Sequence, residues 1–364
     1  MAGPNDNPAL QRFIQGIPLF ELVLPNQLMD ILRLLKPVTF EPGQVIFREG
    51  DPGQAMWVLG TGTEVSLATT PAGGERPVVV AYARPGETIG EMALVDQGPR
   101  SATATVIQGG PAHKIEAVDF EVLRVGYNPA AYKVLRKICV DLCGKLRATS
   151  DRIVPPGNAA INAPPLDARP LRTPDVVDEF PAFRPLPQVV KLALAQKLKL
   201  VETEGVAPIF GEGSRGDAAY FVLDGEVTVG RSGKTLATLG KGAMFGMVSV
   251  IDNGGRSASC VTAGPARLLR LDDREFDILF QTGNRFAYEL VDLVARQLVE
   301  HLRGANALLP PPGQGPARPA RRPSGPERSL QSRAAAGIMD PAGAAAGEEE
   351  LLPLDLEIEL ELEL

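Results

Sequence analysis

Residues 89–103 read Ile89-Gly90-Glu91-Met92-Ala93-Leu94-Val95-Asp96-Gln97-Gly98-Pro99-Arg100-Ser101-Ala102-Thr103. Gly90 is small enough to let the backbone approach a ligand closely, and Glu91 carries two acceptor oxygens for a sugar hydroxyl. Arg100 supplies the planar fork of donors that suits phosphate. We expect residues 92–95 to form one short helical turn whose free N–H groups point at an anion. The stretch therefore predicts a site for a phosphate that carries a sugar.

The order of these residues resembles a known motif. Gly-Glu-Met-Ala-Leu, a short spacer and Pro-Arg-Ser-Ala-Thr are similar to the phosphate-binding cassette of the cyclic nucleotide-binding domain family. That family includes bacterial cAMP receptor proteins and the regulatory subunits of cAMP-dependent protein kinase. The resemblance implies a β-roll flanked by helices, with cAMP favoured over cGMP as ligand and no other cofactor.

The chain contains an internal repeat. Residues of the same type recur 156 positions apart, including Gly90 and Gly246, Arg100 and Arg256, Phe120 and Phe276, Tyr132 and Tyr288. Upstream, Gly50 with Gly213 and Trp57 with Tyr220 recur 163 positions apart, which we attribute to a longer hairpin near residues 69–77. A constant offset over this much chain indicates two copies of one domain.

The expected fold class is α+β, mainly β, with two cyclic-nucleotide-binding β-rolls of jelly-roll type, each flanked by helices. Each copy begins with a short helix (26–35 and 186–198) and ends with a long one (129–152 and 285–306). We assign, in order, domain one at 1–152, a Pro-rich linker at 153–179, domain two at 180–306, a disordered tail at 307–353 and an alternating peptide at 354–364.

The second cassette is degenerate. Gly246, Arg256 and Ser257 keep their residue types, but Met247 replaces the glutamate. Because a hydrogen bond to a charged group contributes about 1.5–3 kcal/mol, we expect nucleotide binding in copy one and weak or no binding in copy two. An altered ligand held by Arg256 is the alternative.

The candidate binding residues extend beyond the cassette. Val80 and Ala81, on the strand before it, are expected to line the base and sugar, and a Thr-Ser pair near the end of the long helix resembles the pair that meets adenine in cAMP receptor proteins. The same pair is equally ordinary as a helix end. The full set is Gly90, Glu91, Met92, Ala93, Arg100, Ser101, Ala102, Val80, Ala81, Thr149 and Ser150.

Composition excludes several classes of function. The net charge is −7, and eight acidic residues lie in 348–364, so the rest of the chain offers no basic body for DNA. Two histidines and three cysteines are too few for a metal cluster or a disulfide framework, and Cys139 and Cys143 are expected in the core. We find no helix-turn-helix pattern, nucleophile–base set, membrane-spanning run or signal peptide, and expect a cytoplasmic protein that is not an enzyme.

Two features point to protein partners. Residues 354–364 alternate strictly between apolar and acidic, so strand addition to a partner is one hypothesis and a solvated acidic tail the other. Arg321-Arg322-Pro323-Ser324 resembles a kinase-recognition pattern, although such patterns arise readily in this composition. The apolar stripe of the first long helix either pairs the two copies or forms a homodimer seam. The leading interpretation is a cyclic-nucleotide sensor acting on a protein partner; the alternative is a scaffold protein in which the nucleotide site is vestigial.

Overall fold

The computed structural model describes residues 7–70, 77–157, 163–281, 283 and 285–309. The helices are α1 Pro8–Gln15, α2 Pro25–Leu32, α3 Ala93–Asp96, α4 Ala117–Val125, α5 Pro129–Ile153, α6 Gln188–Lys197, α7 Met247–Ile251, α8 Asp273–Gln281 and α9 Arg285–Ala307. Short 3₁₀ turns cover Pro18–Phe20, Pro174–Glu179 and Pro181–Phe183. The kinase-like pattern at 321–324 and the alternating peptide at 354–364 lie outside the described residues.

The strands of the first copy are β1 Lys36–Phe40, β2 Val45–Phe47, β3 Ala55–Leu59, β4 Glu64–Thr69, β5 Val78–Ala83, β6 Thr88–Ile89, β7 Thr103–Gln108 and β8 Gly110–Glu116. Those of the second are β9 Ala168–Pro170, β10 Leu198–Thr203, β11 Pro208–Phe210, β12 Ala218–Asp224, β13 Val227–Arg231, β14 Lys234–Leu239, β15 Met244–Phe245, β16 Ser259–Thr262 and β17 Ala266–Asp272.

Each copy folds its strands into two facing antiparallel sheets. The first copy has the orders β1-β8-β3-β6 and β2-β7-β4-β5, and the second has β9-β10-β17-β12-β15 and β11-β16-β13-β14. Alternate side chains point inward and form a separate apolar core in each roll. The expected fold class, two helix-flanked β-rolls, is confirmed.

The repeat is visible in the strand register. Trp57 of β3 lies opposite Ile89, and Tyr220 of β12 lies opposite Phe245. Trp57 and Tyr220 are 163 positions apart and Ile89 and Phe245 are 156 apart, which are the two offsets found in the sequence. The same β-strand pairing therefore presents both cassettes to their rolls.

Part of the segment expected as a linker belongs to the second roll. Residues 168–170 form β9, which pairs with β10 through Ala168 opposite Val201. Ala168 packs against the core of the second roll, so this short segment gains both ladder hydrogen bonds and burial. Its last residue is Pro170, which lacks an N–H and is tolerated at the end of an edge strand.

Helices α5 and α9 pair the two copies within one chain. The apolar stripe of α5 is buried in a core that both copies share; it consists of Ala131, Leu135, Ile138, Leu142 and Leu146. Near the start of the two helices, the rings of Tyr132 and Tyr288 lie 4.5 Å apart, and these residues are one repeat offset apart. Of the two uses expected for the stripe, the structure has the intrachain pairing, with an approximate two-fold relation between α5 and α9.

Across the described ranges, no helix has the length and apolarity that a membrane span requires. Within the same residues, no three His, Cys, Asp or Glu side chains come together as a potential metal site. Cys139 and Cys143 are fully buried on α5, where they pack as small apolar residues.

Candidate functional site

A cavity of about 350 Å³ opens between the first roll and the two long helices. Its walls are strands β4 and β5, the cassette, α5 and α9. Nearly every candidate residue lines it, namely Val80, Ala81, Gly90, Glu91, Met92, Ala93, Arg100, Ser101, Ala102 and Thr149. Residues that are distant in sequence are therefore brought to one place.

Ser150 departs from the expectation. It lines the corresponding cavity of the second roll, while its neighbour Thr149 lines the first. One residue along an α-helix turns the side chain by about 100°. Because α5 runs between the two cavities, consecutive residues face different sites.

The Arg100 side chain lies in the wall of the first cavity, 7% exposed. Its two terminal nitrogens donate to backbone carbonyls, Nη2 to Ala55 at 2.7 Å and Nη1 to Gly90 at 3.2 Å. The guanidinium stacks over the Phe47 ring, 4.3 Å from its centroid. Among the described residues Arg100 forms no ion pair, and its buried Nε has no hydrogen-bond partner. A buried cation with an unused donor suits an anion.

The close approach of Arg100 requires glycine at position 90. Gly90 has φ of +77°, a left-handed conformation that residues with a side chain rarely adopt. A Cβ there would lie 2.6 Å from Arg100 Nη1. The glycine of the motif therefore leaves room for the Arg100 guanidinium.

Glu91 is 8% exposed and forms an ion pair with Lys145 of α5. Burial, the largest influence, raises the pKa of Glu91, but Lys145 and Arg100 together outweigh it and lower that pKa. Glu91 is therefore ionised at neutral pH and offers acceptor oxygens only. The Lys145 side chain is half-exposed.

The helical turn after Glu91 differs from the expectation. It forms α3, but the N–H groups of Ala93, Leu94 and Val95 donate to the carbonyls three residues earlier. These groups are not free to bind an anion, because the turn is tight enough to satisfy them internally. Of the described groups predicted to bind an anion, Arg100 is the one that retains an unused donor.

Helix α9 of the second copy closes the first cavity, which sequence reasoning missed. Arg303 and Asn306 line it, and the Thr149 hydroxyl donates to Asn306 Oδ1 at 3.5 Å. Arg303 also pairs with Asp96 of the cassette through both carboxylate oxygens and donates to the Pro99 carbonyl at 3.1 Å.

The same contact occurs in mirrored form on the other side. Arg147 of α5 donates to both carboxylate oxygens of Asp252, at 2.5 and 2.8 Å. We call these two contacts, Asp96–Arg303 and Asp252–Arg147, the cross-copy latches. Both aspartates and both arginines recur at the offset of 156, and this repetition is the sequence signal that would have revealed them.

The second cavity keeps its arginine in a different state. Arg256 is stacked 3.9 Å over Phe210, but its Nη2 donates to the carboxylate of Asp217 at 2.8 Å. Its Nη1 donates to the Gly246 carbonyl and to the Ser249 hydroxyl, and its exposed fraction is 3%. Met247, 1% exposed, and Ser257 complete the wall. The buried Nε of Arg256 has no hydrogen-bond partner among the residues that the structure describes, as in Arg100, but the guanidinium of Arg256 is already paired with the Asp217 carboxylate.

Comparison with known proteins identifies a family. The model of the cyclic nucleotide-binding domain matches residues 37–124 and again residues 203–282. The cyclic AMP receptor protein of Thermus thermophilus is 37% identical over 126 residues, which cover 33% of this chain and 58% of that protein. The cAMP-dependent protein kinase regulatory subunit of Dictyostelium discoideum is 31% identical over 98 residues, 27% of this chain and 30% of that protein.

The chain thus spans less than two thirds of the length of these curated relatives. Among solved structures, the regulatory domain of Toxoplasma gondii PKA with cAMP is similar over 82% of this chain and 99% of that one, at 19% identity and a TM-score of 0.31.

Proposed function

Because residues 37–124 and 203–282 place this chain in the cyclic nucleotide-binding domain family, we propose that its first roll is a cyclic-nucleotide sensor that acts on a protein partner. The observation that carries the proposal is the convergence of Arg100 and Glu91 in one cavity beneath two long helices. The proposed protein is a cytoplasmic effector without catalytic or DNA-binding activity of its own. The names of two relatives, both referring to cAMP, favour an adenine nucleotide.

Charge supports an anionic ligand in the first cavity. Arg100, Lys145, Arg152 and Arg303 line it, and Glu91 is the acidic residue among the described lining. The cyclic phosphate would take up the unused donor capacity of Arg100, which forms no ion pair with a carboxylate in the described part of the chain. A buried guanidinium paired with a phosphate forms a stronger hydrogen bond than one paired with neutral carbonyls.

The ribose would bind Glu91. A sugar hydroxyl donates to the carboxylate in place of Lys145, whose half-exposed ammonium then returns to water. Glu91 belongs to the cassette and Lys145 to α5. Loss of their ion pair on ribose binding therefore changes the contact between the cassette and α5. Thr149 and Asn306 lie where the base would meet the helices, and Val80 and Ala81 offer it an apolar wall.

The cross-copy latches provide the route of transmission. Asp96 belongs to the cassette that closes on the ligand, and Arg303 belongs to α9 of the other copy. A ligand shifts the equilibrium between two arrangements of cassette and helix only by its difference in affinity for them. A partner that binds one arrangement of α5 and α9 would therefore report occupancy of the first roll.

Calorimetric titration of cAMP and cGMP into the full chain tests the proposal, with Arg100→Ala and the matched Arg256→Ala as variants. We expect about one cAMP per chain, lost in Arg100→Ala and retained in Arg256→Ala, and weaker binding of cGMP. If neither nucleotide binds, the sensor proposal fails and the scaffold interpretation takes its place. If Arg256→Ala removes binding and Arg100→Ala does not, the assignment of the two rolls is wrong.

A further inference from the structure

The second roll holds a cavity of about 410 Å³, at least as large as the first. Its wall is mainly apolar and includes Phe210, Leu236, Leu239, Phe245, Met247 and Leu308. Small residues keep it open: Ala237, Ala258 and Ala305 stand where larger side chains would fill the space. The loss of the glutamate has therefore not been accompanied by closure of the site.

Five equivalent positions differ between the two cavities, although Arg100 and Ser101 of the first recur as Arg256 and Ser257 in the second. Three charged residues and one threonine of the first site are replaced by uncharged ones, and one valine by the larger leucine. The pairs are Glu91 and Met247, Lys145 and His301, Thr149 and Ala305, Arg152 and Leu308, Val80 and Leu236. Three of these changes, at Glu91, Lys145 and Arg152, remove a charged side chain from the lining of the second cavity.

The buried arginine of the second cavity is already paired, and the exposed Glu300 at the wall is itself an anion. Asp217 pairs with Arg256, whereas the equivalent position in the first copy is Gln54, an uncharged residue. Burial lowers the pKa of His301, the largest influence on it, so this imidazole is neutral at pH 7. An incoming anion would have to displace the half-exposed Asp217 carboxylate from the buried side chain of Arg256.

We propose that the second roll binds a neutral, predominantly apolar small molecule between α5, α9 and strands β13 and β14. The Phe210 and Phe245 rings and the aliphatic wall supply its contacts, and Ser150, Ser257 and His301 offer polar groups at the wall to orient it. Burial of apolar surface, at about 25 cal/mol per Å², drives such binding without a charged anchor. The inference holds whether or not the first roll takes a cyclic nucleotide.

A pair of fluorescent probes with the same rings tests it. N-phenyl-naphthylamine is neutral, and anilinonaphthalene sulfonate adds one negative charge; each is titrated into the full chain by fluorescence. We expect the neutral probe to bind at one site per chain and at least about tenfold more tightly than the sulfonate. Asp217→Asn removes the carboxylate from Arg256 and should strengthen binding of the sulfonate. The ratio of the two dissociation constants should therefore fall about tenfold or more.

Two variants locate the site and one serves as the matched control. Ala305→Trp fills the cavity and Leu236→Glu places a charge in its wall; each should weaken binding of the neutral probe about twentyfold or more. Thr149→Trp makes the equivalent change in the first cavity and should leave probe binding unchanged. Thermal unfolding of each variant checks that it folds. If Ala305→Trp does not fold, Leu236→Glu locates the site instead.

Four outcomes overturn the proposal. The first is no saturable binding of the neutral probe, and the second is equal or tighter binding of the sulfonate. The third is neutral-probe binding only in a chain truncated after Leu309, which would make residues 310–364 the occupant instead. Loss of probe binding in Thr149→Trp and not in Ala305→Trp would place the probe in the first roll and overturn the proposal as well.

Discussion

Replacing Arg303 with leucine should uncouple the two copies at the first latch. The arginine donates two hydrogen bonds to Asp96 and one to the Pro99 carbonyl, with the side chains 25% and 19% exposed. Hydrogen bonds to charged groups contribute about 1.5–3 kcal/mol when buried, and partial exposure lowers this, so we expect a loss of about 2 kcal/mol in unfolding free energy. With an unfolding entropy of about 2.1 cal/mol/K per residue over roughly 300 residues, Tm falls by about 3 °C.

A double-mutant cycle with Asp96→Asn, measured by urea unfolding at pH 7, isolates the pair. We expect a coupling energy of about 1 kcal/mol or more. Arg33→Leu is the control, because its (i, i+3) ion pair with Asp30 lies within the first copy and its side chain is 71% exposed, so it should cost below about 0.5 kcal/mol. A coupling energy within about 0.3 kcal/mol of zero would refute the idea that this contact joins the copies.

The coupling should also depend on pH with a defined sign. Burial, the largest influence, raises the pKa of Asp96, but hydrogen bonds from Arg303 and from the Gly98 N–H outweigh it and lower that pKa. A carboxylate with a lowered folded-state pKa stabilises the fold above its unfolded pKa of about 3.9, and this contribution disappears as pH falls through the folded value. Coupling that persists undiminished well below that range would contradict the assignment.

Three further predictions concern other parts of the molecule. Glu91→Met places the residue of the second cassette in the first and should raise the Kd for cAMP about 10- to 150-fold in calorimetry. The reverse change, Met247→Glu, should not create a second cAMP site, because Asp217 remains paired with Arg256. Two equal cAMP sites in Met247→Glu would contradict this. Gly144→Ala on α5 should raise urea stability by about 0.5–1 kcal/mol, since a Cβ there meets nothing within 4 Å and alanine favours the helix; a loss of stability would be inconsistent with the described helix. Burial raises the pKa of Cys260 to about 12 and that of Cys139 well above the ordinary thiol value, so a thiol reagent at pH 8 should label the chain only after unfolding; rapid labelling of the native chain would count against the described burial.

The sequence predicted those parts of the site that lie within one copy. The position of Arg100 and Glu91 follows from a local motif, and the strand register follows from the two offsets that relate Trp57 to Tyr220 and Ile89 to Phe245. The helices predicted at 129–152 and 285–306 are found as Pro129–Ile153 and Arg285–Ala307. Local patterns sufficed here because each rests on spacing within a single element or hairpin.

The remaining features depend on how the copies pack. That Thr149 and Ser150 face different cavities is decided by the path of α5 between the rolls, which no local pattern encodes. The same holds for Asn306, which belongs to one copy and lines the cavity of the other. The neutralisation of Arg256 by Asp217 concerns a residue 39 positions upstream, outside the cassette. The internal hydrogen bonds of α3 depend on a tight turn that sequence reasoning treated as open.

The joining of two related rolls by α5 and α9 has an evolutionary consequence. In a symmetric dimer of separate chains, every substitution appears twice, so both sites must change together. Here the two sites are encoded separately, and a change such as Glu91 against Met247 affects one of them alone. Covalent fusion thus allows one half of a dimer-like arrangement to acquire new chemistry while the other keeps its own.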